Sequence, residues 1–337
     1  MRVAELIGLR EFRLVERQIA DPGPGEVQVR VQAVGICGSD LHAYSEGGIG
    51  SKLNSYPMVL GHEPAGVVAK LGSGVSGWQT GDRAAFEPAL YCYHCQFCMA
   101  GRHNVCENLR FLSSPGDPGF FREYVNLPTG NLLALPPNLG ANEGSLIEPL
   151  AVVLHSMKFG QPRPWETAAV FGAGPIGLLT IAVLKLSGAS RVWAIDPAPA
   201  RRELALRMGA DCSLDPNAVD VARQIPGVDV VFDCAVKGDS VRQSIQVARS
   251  AGRVVFTGIP SEMESPIDFH SWRRKELALY QVRRSNHEGR QARDLLAAHL
   301  ARFAPLITHT RPLDQVGQAF AQLERYEDGV GKIVIQM

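Results

Sequence analysis

Four of the chain's seven cysteines crowd into one stretch, Cys92, Cys95, Cys98 and Cys106, separated by two, two and seven residues. Such short spacings bring sulfurs from neighbouring turns to one point, and the longer loop returns the fourth. Four thiolates with no position left for water make a closed, tetrahedral zinc site of the structural kind. An iron–sulfur cluster uses the same ligands, and spacing alone does not choose the metal. His94 and His103 lie inside the segment and are expected to be solvated, because four cysteines already fill a shell. A second set is scattered: Cys37, His62, Glu63 and Glu148 offer one thiolate, one imidazole and two carboxylates. Those types suit an open zinc site that leaves a position for a substrate oxygen.

A third group handles phosphate. Gly172-Ala173-Gly174-Pro175-Ile176-Gly177 reads G-x-G-x-x-G, and the acid Asp196 follows about 20 residues on, as a dinucleotide site requires. Gly172 permits the tight turn, Gly174 lets a pyrophosphate approach the helix N-terminus, and Gly177 lets that helix pack on its sheet. Pro175 and Ile176 complete the turn. Asp196 accepts from the ribose hydroxyls and repels a 2′-phosphate, which favours NAD over NADP; Arg201 is a further candidate contact to the cofactor.

The elements that must position these groups fall into two textures. Residues 27–31 alternate with period two after the turn-rich 21–25, and further short apolar runs such as 66–69 are punctuated by glycine. This predicts an antiparallel, barrel-like β domain. From 146–159, which has helical spacing, the pattern changes to alternation: strands at 168–171, 192–195, 228–232 and 253–257, helices at 175–186, 200–208 and 240–248. Strand–helix alternation predicts a doubly wound parallel sheet. Helices at 289–303 and 313–323 and a strand at 332–336 close the chain. The expected division is a catalytic β domain over 1–147 with the cysteine lobe at about 88–110, a dinucleotide-binding domain over 148–282, and a segment, 283–337, that returns to the first.

Composition narrows the class. The 337 residues carry 34 Lys+Arg against 34 Asp+Glu, with 45% hydrophobic and 20% charged. A neutral balance gives no electrostatic footprint for nucleic acid or an anionic membrane. No apolar run is long enough to span a bilayer, and residues 1–20 show no secretory pattern. With an odd cysteine count, a disulfide framework is not expected and a cytoplasmic location is.

Taken in order, Cys37-Gly38-Ser39-Asp40, Gly61-His62-Glu63-Pro64-Ala65-Gly66 with Gly72 and Val75 beyond it, the four-cysteine lobe and the glycine turn strongly resemble the zinc-dependent medium-chain alcohol dehydrogenases along essentially the whole chain. The resemblance implies a GroES-like β-barrel catalytic domain joined to a Rossmann domain, one catalytic and one structural Zn²⁺, and NAD. Two segments narrow it to the polyol, sorbitol-like branch: Glu148-Pro149-Leu150-Ala151-Val152-Val153-Leu154-His155 and Val282-Arg283-Arg284-Ser285-Asn286. By that resemblance Cys37, His62 and Glu63 ligate the catalytic zinc, with Glu148 binding directly or through water, and Arg283 contacts substrate hydroxyls. Polyol enzymes carry an aromatic directly after the position of His42, whereas this chain has Ala43 and then Tyr44, so Tyr44 is the candidate substrate contact.

The implied reaction is oxidation of a secondary alcohol, a polyol or sugar derivative, to a ketone with hydride transfer to nicotinamide. Ser39 would take the proton and relay it, through the cofactor ribose, to His42, whose unperturbed pKa near 6.5 suits a relay. Asp40 would accept from the free ring nitrogen of His62. Competing expectations are a dehydrogenase of a 3-hydroxy amino acid or a sugar acid, a dinucleotide-binding sensor, and a zinc-lobe interaction module. Glu148 also suits the N-terminus of a helix starting at Pro149, and Arg283 also suits a solvated edge. His155, Cys212 and Cys234 read as packed residues. Family members of this kind imply a homo-oligomer, a dimer or tetramer.

Overall fold

The strand Glu26–Gly35 turns Val27, Val29, Val31 and Val34 into the core while Arg30 faces out. That half-buried alternation lets an antiparallel sheet cover one side of a core. In the computed structural model, which describes residues 1–337, this strand is the centre of a sheet ordered Leu132–Ala134, Arg83–Phe86, Glu63–Leu71, Glu26–Gly35, Lys332–Gln336, Ile307–Pro312. Tyr124–Pro128 also pairs with Glu26–Gly35. The fully buried Phe120, Phe121 and Phe320 dominate the core beneath it.

The second sheet is parallel and six-stranded: Cys212–Leu214, Arg191–Ile195, Thr167–Phe171, Val228–Asp233, Ala248–Phe256, Ala278–Gln281. Its central strands Thr167–Phe171 and Arg191–Ile195 read, after the first residue of each, as apolar runs, since helices cover both faces of such sheets. All of 168–171 is buried, as is 178–184 in the helix Pro175–Leu186. The strand order reverses beside Thr167–Phe171, and the loop leaving that strand is the glycine turn. This is the switch point at which open α/β sheets bind ligands.

The chain divides into two units, one comprising Met1–Glu148, Gly289–Ala298 and Ile307–Met337, the other Pro149–Glu288 and His299–Leu306. This differs from the sequence expectation at two places. Residues 283–288 stay with the dinucleotide unit. The helix expected over 289–303 is broken, running as Gly289–Ala298 and then Leu300–Phe303 with the two pieces in different units. At the break His299 leaves helical geometry (φ −129°, ψ 34°), which apolar periodicity does not register. The helix expected from residue 313 begins as a 3₁₀ turn, Leu313–Gln315, before Val316–Arg325. No helix is long and apolar enough to cross a membrane.

One ion pair ties the strand starts of the parallel sheet. Asp229 accepts from the backbone N–H (2.8 Å) and the hydroxyl (2.7 Å) of Thr167 and from Arg249 Nε (2.6 Å). Burial pushes its carboxyl up, but these donors outweigh it and hold it down to about 2. A depressed folded pKa gives stability that is present above the unfolded value near 4 and is lost as pH falls through about 2. Arg249 is half exposed, so the contribution is at most about 2 kcal/mol. Asp229→Asn is therefore expected to destabilise at pH 7, with about half of the difference gone at pH 3, as read by urea unfolding of both proteins. A difference that does not change with pH would remove the ion pair from the account.

Candidate functional site

Cys37 ends the strand-to-helix loop and caps the helix Gly38–Glu46. His62 and Glu63 lie at the entrance of the strand Glu63–Leu71. Register explains the meeting, because Gly35 pairs directly with Glu63 in the sheet. The Cys37 sulfur, a His62 ring nitrogen and a Glu63 oxygen all lie within 4.8 Å of one another. Gly66 of the same strand is needed for close approach, since a Cβ there would stand 2.1 Å from Arg30 O.

The buried carboxylate of Asp40 sets the imidazole. It lies 3.2 Å from His62 Nδ1 and accepts the N–H of Cys37 (3.1 Å), the N–H of Gly61 (3.2 Å) and the hydroxyl of Ser113 (3.0 Å). Burial pushes this carboxyl up, but His62 and the donors outweigh it and hold it below its usual value. With Nδ1 occupied, Nε2 is the nitrogen left for a metal. Burial opposes a charged His62, yet Asp40 and Cys37 outweigh it and raise the imidazole well above its usual range. Proton and metal compete for the same lone pair.

Two residues in the same unit answer a charge question that sequence reasoning missed. Lys332 Nζ, 1% exposed, donates to both Glu63 oxygens (2.7 and 2.6 Å) and to Ile36 O (3.0 Å). Glu148, second residue of the helix Ile147–Gly160, is pushed up to about 8 by burial. Glu63 and Glu87 reinforce the shift, while His62 and Lys332 oppose it. Burial of an acid beside two other carboxylates marks a site short of positive charge. A divalent cation held by thiolate, imidazole and carboxylate would supply it, so this donor set fits zinc. The signal for Lys332 was available: it is a lone charge opening the apolar strand Lys332–Gln336, and lysines are rarely buried unless paired.

Ser39 and His42 sit three residues apart on one face of the helix Gly38–Glu46. Ser39 Oγ is 3.4 Å from His62 Nε2, and His42 Nδ1 is 3.0 Å from Glu46 Oε1. Tyr44 is a correction. Its ring is 4% exposed and packs in the core against Phe12 (5.8 Å between centroids) and Phe320 (5.0 Å). It occupies the inward face of the helix, so it lines no substrate pocket. Phe111, whose ring lies 5.3 Å from that of His62, is the aromatic that sequence reasoning overlooked.

The lobe brings Cys92, Cys95, Cys98 and Cys106 together as free thiols. Sulfur–sulfur distances are 3.4 Å (Cys106–Cys92), 3.9 Å (Cys92–Cys98) and 3.9 Å (Cys95–Cys106). A tetrahedron with zinc–sulfur bonds of about 2.3 Å has edges of about 3.8 Å. An iron–sulfur cluster spreads its cysteines over several irons, so sulfurs this close fit a single ion.

In the second unit Gly172 adopts φ +82°, and a Cβ on Gly177 would stand 1.8 Å from Gly172 O. Over Gly174, which caps the helix Pro175–Leu186, a Cβ would meet no atom within 4 Å. That open cradle before two helical residues, Pro175 and Ile176, fits a pyrophosphate. Asp196 directly follows the strand Arg191–Ile195, and its two oxygens accept the N–H groups of Ala173 (2.8 Å) and Ala198 (2.8 Å). Arg201 is half-buried in the first turn of Pro199–Arg207. Arg283 is exposed in the same unit.

Comparison with known proteins matches residues 23–137 to the alcohol dehydrogenase GroES-like domain and 175–298 to the zinc-binding dehydrogenase domain. Sorbitol dehydrogenase of Bacillus subtilis (strain 168) is 31% identical over 341 residues, spanning 99% of this chain and 97% of its own length. The chain belongs to the zinc-dependent medium-chain polyol dehydrogenases. Two solved structures of similar proteins superpose along the full chain of this polyol dehydrogenase. One is 2R,3R-butanediol dehydrogenase from Bacillus subtilis (TM-score 0.90, 31% identity, 100% of this chain and 99% of that one). The other is an alcohol dehydrogenase from E. coli CFT073 complexed with NADH (TM-score 0.91, 30% identity, 100% and 99%).

Proposed function

We propose that this polyol dehydrogenase oxidises a secondary alcohol, a polyol or a sugar-derived diol, to the ketone with NAD as hydride acceptor. The observation that carries the reading is the convergence of Cys37, His62 and Glu63 on one point; the buried acid Glu148 lies outside that group but close enough to feel the charges of His62 and Glu63. Cys37, His62 and Glu63 hold the catalytic zinc and Glu148 completes its shell, directly or through water; Cys92, Cys95, Cys98 and Cys106 hold the structural one. Bound there, the catalytic ion would supply Lewis-acid polarisation of the substrate hydroxyl, and NAD, held at the glycine turn by Gly172, Gly174 and Gly177, would supply the hydride acceptor.

The chain's own residues do the rest. Asp40 fixes the His62 tautomer. Ser39 would accept the hydroxyl proton as it passes its own on, through the cofactor ribose, to His42, which Glu46 orients toward release to solvent. Gly172, Gly174, Pro175, Ile176 and Gly177 cradle the pyrophosphate, Asp196 orients the glycine turn and takes the adenosine ribose, and Arg201 flanks it. Arg283 binds the substrate's additional hydroxyls. The known substrates of similar proteins, sorbitol and 2R,3R-butanediol, are alcohols of this type by their names. Seven free thiols suit a reducing compartment, which supports a cytoplasmic enzyme, and we assign it as a dimer or tetramer, to be read by light scattering.

The test is NAD reduction across a panel of polyols, sugar acids and hydroxy amino acids, paired with metal analysis. Fast turnover of a polyol and two zinc ions per chain are expected. Inert polyols beside a fast threonine or aldonate reaction would overturn the substrate class, and one zinc per chain would overturn one of the two metal sites.

A further inference from the structure

His155 belongs to neither metal cluster nor the glycine turn, yet it is a buried ionisable residue. On the helix Ile147–Gly160 its Nδ1 lies 3.0 Å from Glu288 Oε1, a partner 133 residues away. Lys158, one turn further and on the same side of the helix, places Nζ 2.6 Å from that same oxygen. The other Glu288 oxygen accepts the backbone N–H of Asn286. Glu288 is itself 1% exposed. Burial pushes its carboxyl up, but His155, Lys158 and the Asn286 amide outweigh it and hold it down to about 2.

The segment closed by this carboxylate has an unusual backbone. Arg284 (φ +54°) and His287 (φ +70°) both take left-handed conformations, which residues with side chains keep only where their surroundings over-determine them. Val282 and Ser285 are buried anchors, while Arg283 between them is exposed. The segment therefore presents one guanidinium outward from a strained turn, and the only ion-paired carboxylate at its end is bound to a helix on which it has no local neighbour. Packing alone needs no such arrangement, because burying a carboxylate against polar partners costs desolvation that an apolar contact avoids.

We propose that Glu288, gripped by His155 and Lys158, is the positioning residue that holds the 283–287 segment, and with it Arg283, in the conformation that binds substrate. The proposal rests on Arg283 as the substrate-contacting arginine. Without the grip the segment samples other conformations, and apparent affinity falls by the fraction that remains competent.

The experiment compares Glu288→Gln, Lys158→Met and Arg283→Ala, singly and combined, by steady-state kinetics and amide hydrogen exchange. Glu288→Gln is expected to raise the KM for the alcohol about tenfold, with kcat and the KM for NAD within twofold, and to add nothing to Arg283→Ala. Lys158→Met, whose side chain is 60% exposed and whose replacement leaves the core intact, is expected to raise the same KM about threefold. It carries the test if Glu288→Gln fails to fold. Full additivity with Arg283→Ala, or a KM for NAD that rises equally, would overturn the proposal. An Arg283→Ala enzyme with unchanged KM overturns the assignment of Arg283 and the link to substrate. Unchanged amide exchange across 283–287 in Glu288→Gln overturns the grip itself.

Discussion

Cys37→Ala is expected to lower turnover by at least about a thousandfold while leaving NAD binding intact. The thiolate is one of three donors gathered within 4.8 Å, and an alanine leaves imidazole and carboxylate alone to hold the ion. Losing the polarisation that a metal gives a substrate hydroxyl forfeits several kcal/mol of barrier lowering, and about 4 kcal/mol corresponds to a thousandfold. The glycine turn and Asp196 lie in the other unit, so cofactor affinity read by NADH fluorescence should not move. Metal content should fall from two ions per chain to one, the remainder held by the lobe. Turnover that survives the substitution, or that survives chelation of the parent enzyme, would remove zinc from the chemistry.

In the metal-free protein, Lys332→Met is expected to cost about 3–5 kcal/mol of stability, the penalty for leaving one member of a buried ion pair unpaired. Both partners are fully enclosed: Lys332 is 1% exposed and Glu63 0%. Burial would lower the ammonium, but Glu63 and Cys37 outweigh it and hold it above its usual value, so the charge is maintained. Glu63→Gln in the same background should recover most of the loss, because it removes the stranded anion, whereas Glu63→Gln alone strands the cation instead. The cycle, followed by urea unfolding, isolates the pair. A Lys332→Met protein as stable as its parent would mean that water reaches Glu63. Activity should stay low in the doubly substituted protein, since a metal donor is gone with the charge.

What could be read from the sequence was what is local in it. The cysteine lobe and the glycine turn declare themselves because their members fall within one loop, where spacing is nearly geometry. The GroES-like and Rossmann halves were legible for a related reason, period-two alternation in Glu26–Gly35 against solid apolar strands such as Thr167–Phe171. Tyr44 was misplaced because one residue's shift along a helix rotates a side chain by about 100°, and here that rotation turned it into the core. The broken helix at His299 escaped notice since Leu295, Leu296, Leu300 and Phe303 keep apolar spacing across the break. Ser113 was invisible, and Lys332, though marked as a lone charge opening an apolar strand, had no assignable partner, for want of distance information. Nothing near either residue in the chain says that it faces Asp40 or Glu63.

The pairing of Lys332 with Glu63 also sets a schedule for biosynthesis. The lysine is translated 269 residues after the glutamate, and the strand bearing it is the neighbour that completes Glu26–Gly35. Domains ordinarily fold as they leave the ribosome, amino-terminal ones first. Here the half that emerges first must wait, its acid uncompensated and one sheet edge open, until the dinucleotide half has been made. The nascent enzyme is thus most vulnerable to aggregation until the strand Lys332–Gln336 has been made, and the arrival of that strand, rather than the exit of the first half, marks the moment the first half can close.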